Sequence, residues 1–321
     1  MKKMKINDRK NIRMIGIDLD GTLLTGNKEL TDFSRGVLVE CIRAGILVVP
    51  VTGRPLTGVP REVLSIPGIR YCITSNGANT YDLDSVKDQF DERAGKNQKD
   101  GPFPVLTGQA LLRRAHLSHE VVREILKAAP GKDVIREIFV RGVGYHDQET
   151  QQMLEERFCI KPPILAYINR SRRIVADFEG LLTDPASHVE NISLMFPSIK
   201  ERNEVLGRLV RIRGSEGERI LNVLLPWKTD LEVTHVLADK WRALQDLGNR
   251  LGISDKDIMT LGDGDNDRPM LRGAGLSVAM GNAPDIVKTE ADMVAQDNDH
   301  DGAALAIRNA VLCAGRQEGR E

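Results

Sequence analysis

Two acidic runs hold the residues best suited to chemistry. The first is Met14-Ile15-Gly16-Ile17-Asp18-Leu19-Asp20-Gly21-Thr22-Leu23-Leu24, an apolar stretch that ends in two carboxylates two positions apart. Such a stretch reads as a buried strand, and the glycine and threonine end it. Side chains i and i+2 of an extended chain point the same way, so Asp18 and Asp20 can reach one pocket where the strand gives way to its loop. Carboxylates this close repel unless a cation or a shared proton relieves them; an Asp-rich turn after a strand is the plainer alternative. The second run is Ile258-Met259-Thr260-Leu261 followed by Gly262-Asp263-Gly264-Asp265-Asn266-Asp267. Hard oxygen ligands among glycines, with no histidine or thiolate beside them, suit Mg2+ far better than zinc. Together the two runs supply carboxylates to one sheet edge, and a shared Mg2+ would relieve their crowding.

Other residues are weaker candidates by themselves. Thr52, in Val51-Thr52-Gly53-Arg54, ends a second apolar run, where its hydroxyl and nearby main-chain N–H groups can bond a phosphate oxygen or simply cap a helix. Lys240 falls in the first turn of a predicted helix, adding a cation where the helix terminus already favours an anion; a solvated lysine is the alternative. Asn282 sits in the turn Gly281-Asn282-Ala283-Pro284, where it can approach a ligand. His116 and His119 lie three apart without further ligands, too few for zinc. His146, within Gly142-Val143-Gly144-Tyr145-His146, and Asp177 can line a specificity pocket, or belong to a hairpin and a solvated surface.

These residues require a scaffold that brings several strand ends together. Strand-like runs at Ile46–Val51 and Tyr71–Thr74, helical spacing after Thr31 or Asp32, and the strands at Ile258–Leu261, Leu276–Met280 and Ala291–Ala295 alternate as in a doubly wound sheet. From Asp84 the pattern changes. Asp88–Pro104 reads as a surface connection. Helices are predicted at Thr107–Leu117, Ser118–Ala129, Glu149–Phe158 and Lys200–Arg213. Strands are predicted at Val134–Val140, Ala166–Asn169, Arg173–Phe178, Asn191–Phe196 and Arg219–Leu225. Asp230–Thr234 reads as the strand that re-enters the main sheet. The expected fold class is α/β: a doubly wound, mostly parallel, Rossmann-like core sheet from residues 12–83 and 227–315, with a smaller α/β domain, 84–226, inserted into it. The linker near Pro226-Trp227-Lys228 is a candidate hinge.

Composition narrows the partners. The 321 residues carry 45 Lys and Arg against 46 Asp and Glu, a formal charge of -1, with 4% aromatics, which argues against nucleic acid. Cys41, Cys72, Cys159 and Cys313 are scattered without ligand spacing, as expected of thiols in a reducing compartment. The polar start and the short apolar run after it give neither a signal-peptide core nor a membrane span. A cytoplasmic protein, monomeric or weakly homodimeric, is expected.

From Ile12 to Val311 the sequence resembles the haloacid dehalogenase-like phosphohydrolase superfamily, in its Cof-type branch with a large α/β cap. Asp18-Leu19-Asp20-Gly21-Thr22-Leu23-Leu24 is similar to the first motif, Thr52 to the second, Lys240 to the third, and Gly262-Asp263-Gly264-Asp265-Asn266-Asp267 to the fourth. Val278–Ala283 and Asp301-Gly302 are also typical of the branch. The third-motif lysine departs from the usual glycine-flanked pattern, with Leu237 three residues before it and Trp241 directly after. The resemblance implies Asp18 as nucleophile and Asp20 as acid/base, with Thr52, Gly53, Lys240 and Asn282 at the phosphate. It implies Mg2+ held by Asp18, the Asp20 carbonyl, Asp263 and Asp267, with Gly21 and Asn266 behind them. The implied reaction is hydrolysis of a small phosphorylated metabolite, such as a sugar phosphate, through an aspartyl-phosphate. A phosphotransferase or mutase sharing that intermediate, and a ligand-binding protein without turnover, are the alternatives. Dehalogenation needs neither a proton donor nor Mg2+, so Asp20 and the acidic loop argue against it.

Overall fold

The computed structural model describes residues 11–85, 110–131, 133–156, 162–185, 187–226 and 228–312. Trp227, Cys159, Cys313 and the connection expected at Asp88–Pro104 lie outside the described residues. The chain divides into two compact units, one of Met1–Thr52, Pro60–Ile73 and Lys240–Glu321, the other of Gly53–Val59 and Thr74–Asp239.

The first unit is built on a five-stranded sheet in the order Met293–Val294, Leu276–Ala279, Ile258–Gly262, Met14–Ile17, Leu47–Pro50. Every pairing is parallel, and Val51 adds a parallel bridge to Ile73. A strand buried on both faces reads as an unbroken apolar run, and Met14–Ile17 is buried throughout. From this central strand the chain moves outward to one side through Leu47–Pro50 and later to the other through Ile258–Gly262. Doubly wound sheets bind ligands at such a reversal, beyond the carboxyl ends of the strands. Thr31 caps the helix Asp32–Arg43 by accepting from the Ser34 N–H, as its side chain predicts. Helix Lys240–Arg250 packs Leu244 directly on the central strand at Gly16, where a Cβ would overlap the leucine side chain. Burying Leu244 and Leu247 contributes roughly 2 kcal/mol each.

The second unit is a six-stranded sheet, in the order Leu221–Leu224, Asp230–His235, Val189–Met195, Ile135–Val140, Val143–Asp147, Arg172–Val175. Its pairings are antiparallel except the last, Val143–Asp147 with Arg172–Val175. Ile138 and Val140 join a core with Val122 and Ile125 of the helix His119–Ala128 and with Val205 and Leu209 of the helix Ile199–Leu209. Ile135 packs instead with Met153, Leu154 and Ile168. The Gly142 region is a hairpin: Arg141 and Gly142 have φ of 51° and 77°, the left-handed pair that a two-residue turn needs.

Three expectations are corrected. Asp230–His235 is a strand, but it pairs with Leu221–Leu224 and Val189–Met195 in the second sheet and does not re-enter the first. Leu111–Arg114, expected within a helix, is a strand paired antiparallel with Asn79–Asp82; long-range pairing overrides local propensity there. Ala166–Asn169, expected as a strand, lies in the helix Pro162–Ser171, whose opening prolines suit a first turn that needs no N–H partner.

Candidate active site

Asp18 follows the central strand directly, and its N–H donates to the Leu261 carbonyl at 3.1 Å, so the ladder runs up to the nucleophile candidate. Its side chain is buried. Lys240, only 1% exposed, donates from Nζ to Asp18 Oδ1 at 2.7 Å and to Asp267 Oδ1 at 2.6 Å. An ammonium is buried at this depth only with partners, and here it has two carboxylates. Burial opposes its charge, but Asp18 and Asp267 together hold the Lys240 pKa above its usual value.

Asp267 also organises the acidic loop. Its Oδ2 accepts from the N–H groups of Asp263 at 3.0 Å and Gly264 at 2.9 Å. That curls the loop back over the end of Ile258–Gly262 and brings Asp263 beside Asp18. Carboxylate oxygens of Asp18, Asp263 and Asp267 lie within 4.8 Å of one another. Burial pushes the Asp18 carboxyl well up, against the pull of Lys240 and with Asp267 and Asp263 adding to the rise. Burial, then Asp267, pushes Asp263 up to about 7, against Lys240 and the Thr22 hydroxyl. Three carboxylates around one ammonium leave an excess of negative charge in a desolvated pocket of oxygen donors. That is the donor set of a hard divalent cation, and the residues fit one.

The remaining candidates take distinct places. Asp20 is partly exposed and pairs with Lys28 Nζ at 2.7 Å. Gly21, at φ 78°, stands where a Cβ would overlap the Asp263 carboxylate, so a glycine is required for Asp263 to approach. Thr52 is buried, and its N–H donates to the Ile73 carbonyl at 2.9 Å. Asn282 is exposed; its Nδ2 donates to the Gly21 carbonyl at 2.9 Å and to Asp263 Oδ2 at 3.3 Å. Asn266 lies in the 3-10 turn Asp265–Asp267. Gly53 falls in the second unit, packed against the Asn76 amide.

In the second unit, His146 is buried with Nδ1 3.7 Å from Glu137 Oε1. Asp177 caps the helix Phe178–Thr183. His116 stacks on His188 at 5.3 Å, and His119 bonds the Ser187 carbonyl. Sequence reading missed three residues of the first unit. Thr22 Oγ1 donates to Asp263 Oδ1 at 3.3 Å, Lys28 holds Asp20, and the Asn298 N–H donates to Asn282 Oδ1 at 3.2 Å. Thr22 stood inside the first acidic run and was open to recognition there; Lys28 and Asn298 carry no local signal.

A family model described as haloacid dehalogenase-like hydrolase matches residues 15–97 and 106–307. The chain belongs to that family. Within these hydrolases it has the Cof-type arrangement of an inserted α/β cap, and its aspartate cluster is that of a metal-dependent phosphohydrolase. The chain is 28% identical to the 5-amino-6-(5-phospho-D-ribitylamino)uracil phosphatase YcsE of Bacillus subtilis, over 94% of this chain and 97% of that one. It is 29% identical to Phosphatase YwpJ of the same organism, over 94% of this chain and all of YwpJ (100%). A solved haloacid dehalogenase-like hydrolase from B. subtilis superposes with a TM-score of 0.72 at 25% identity, covering 92% of this chain and 99% of that one. No helix among the described residues is long and apolar enough to cross a membrane.

Proposed function

We propose that this protein hydrolyses a small soluble phosphate monoester through an aspartyl-phosphate on Asp18, with Mg2+ as cofactor. The observation that carries this reading is the Asp18 carboxylate at the end of the central strand, paired with Lys240 and within 4.8 Å of Asp263 and Asp267. Asp18 and Asp263, with the main-chain carbonyl of Asp20, would hold the cation. Both oxygens of Asp267 already accept hydrogen bonds, which favours it as the group that fixes Asp263 and Lys240. When bound, the cation neutralises charge on the phosphoryl oxygens and eases the approach of an anionic nucleophile.

One oxygen of Asp18 attacks phosphorus in line, and the ester P–O bond breaks. Asp20 donates a proton to the leaving alkoxide, then takes one from the water that attacks the aspartyl-phosphate. Inorganic phosphate and the Asp18 carboxylate are regenerated. Thr52 and Lys240 cradle the phosphoryl group, while Asn282 holds the Gly21 carbonyl and Asp263 in place. YcsE, by its name, acts on a phosphorylated ribityl compound, which puts sugar and sugar-alcohol phosphates first among candidate substrates.

The test is a screen of purified protein with Mg2+ against sugar phosphates, ribityl phosphates, nucleotides, phosphoglycerates and pyridoxal phosphate, with Asp18→Asn as control. Phosphate release that vanishes in the variant supports the reading. No release from any ester, or undiminished release by Asp18→Asn, overturns it. Transfer of the phosphoryl group to an added alcohol in preference to water would instead identify a phosphotransferase.

A further inference from the structure

Within the first unit, the turn at residues 297–301 grips the loop that follows the central strand. Asp297 caps the 3-10 turn Asn298–His300, accepting from the His300 N–H at 3.1 Å. Asp299 Oδ1 accepts from the Gly26 N–H at 2.7 Å. Asp301 has a φ of 54°, in the left-handed region that aspartate tolerates better than most residues. Its Oδ1 accepts from the hydroxyls of Thr31 at 2.5 Å and Ser34 at 2.8 Å.

Asn298 makes two bonds that reach different points of that loop. Its side-chain Nδ2 donates to the Leu24 carbonyl at 2.8 Å, and its main-chain N–H donates to Asn282 Oδ1 at 3.2 Å. Asn282 in turn donates from Nδ2 to the Gly21 carbonyl at 2.9 Å and to Asp263 Oδ2 at 3.3 Å. An amide side chain has one accepting end and one donating end. With Oδ1 turned to the Asn298 N–H, Nδ2 faces the Gly21 carbonyl and the Asp263 carboxylate; the reversed amide would set its oxygen against two acceptors. Asn298 thus holds residues 21–24 at both ends, at Leu24 directly and at Gly21 through Asn282. The other oxygen of Asp263 accepts from Thr22, inside the same stretch.

We propose that Asn298 is a positioning residue for the cation site, acting through the Asn282 amide on Asp263 and the Gly21 loop. The proposal rests on the reading of Asp263 as a cation ligand. Groups that orient a metal ligand without touching the metal raise affinity by fixing the donor set before the ion arrives. Asn282 is exposed, so an amide released by Asn298 can turn to water instead. The Asn298 N–H belongs to the main chain and survives substitution. What Asn298→Ala removes is the Leu24 tie that holds that N–H against Asn282.

The experiment titrates Mg2+ calorimetrically into the full chain and into Asn282→Ala, Asn298→Ala, Asn298→Gln, the double alanine variant and Ser34→Ala, with a metal-free thermal melt of each. Asn282→Ala is expected to weaken Mg2+ binding about tenfold and Asn298→Ala about fivefold, with Asn298→Gln, which keeps an amide donor, recovering part of the loss. The double variant is expected to match Asn282→Ala within about twofold, because both substitutions undo one contact. Ser34→Ala loosens the same turn at Asp301 and is expected to lower the melting midpoint while Mg2+ affinity stays within about twofold of the parent. Affinity within about twofold of the parent for Asn298→Ala, additive losses in the double variant, no recovery in Asn298→Gln, or an equal loss in Ser34→Ala overturns the proposal. If Asn298→Ala does not fold, Asn298→Ser carries the same comparison. A parent that binds no Mg2+ overturns the reading of the acidic cluster and this proposal with it, whereas a parent that binds beside an equally tight Asn298→Ala overturns this proposal alone.

Discussion

A carboxylate that attacks a phosphate ester has to be kept ionised in a site dry enough to strengthen every charge in it. Burial works against Asp18 on that point, and Lys240 at 2.7 Å is the local compensation. Asp18→Asn keeps the shape but removes the proposed nucleophile, and kcat is expected to fall by about 10³-fold or more, measured as phosphate release at an unchanged circular-dichroism spectrum. Asp263, pushed up to about 7 by burial and by Asp267, is expected to lose its proton as a cation binds. Mg2+ affinity should therefore fall as the pH drops from about 8 to about 6, with proton release on binding at the lower pH. Calorimetric titration in buffers of differing ionisation heat reads that release directly, and a proton count of zero near pH 6 would count against the assignment.

At the scale of elements, the site depends on close approaches that only small residues permit. Gly16 lets the helix carrying Lys240 lie on the strand that carries Asp18, and Gly21 lets Asp263 approach the first acidic loop. Gly77 combines a φ of 90° with main-chain contact to Asp239. Gly77→Ala adds both a strained conformation and an overlap that no side-chain rotation relieves. A destabilisation of about 2 kcal/mol is expected, read from the denaturant midpoint. If Gly77→Ala unfolds at the parent midpoint, the contact is looser than its geometry implies. The helices and strands of the first unit were legible because each is locally consistent: Thr31 caps, Gly45 follows a helix end, and Ile258–Leu261 is continuously apolar. The strands Leu111–Arg114 and Asp230–His235 were misread in fold or in placement, because what defines them is a hydrogen-bonded partner far away in the chain.

Across the whole molecule, the second unit carries its own buried electrostatic bond. Arg172 donates from Nε to Glu137 Oε1 at 2.9 Å and from Nη2 to Oε2 at 3.1 Å, with its guanidinium over the Phe139 ring at 4.7 Å. Burial raises the Glu137 carboxyl, but Arg172 and the neighbouring His146 outweigh it and bring the pKa down to about 2 from 4.5. A depressed carboxyl stabilises the fold above its unfolded value, and the contribution is lost as pH falls through the folded value. Acid titration is therefore expected to remove ~3 kcal/mol between about pH 4.5 and about pH 2. Glu137→Gln, which cannot titrate, should flatten that part of the stability profile; an unchanged acid transition would argue that the pair contributes little. The sequence by itself determined the two acidic loops and the strands that precede them, because an apolar run that ends in Asp18 and Asp20 and a glycine-bracketed acidic loop constrain their own local geometry. Only the tertiary structure decided which sheet takes Asp230–His235, that Asp267 faces Lys240 and the loop N–H groups, and that Arg113 ties Gly77 to Leu237. Those contacts join residues far apart in the chain, and no local preference of the backbone specifies them.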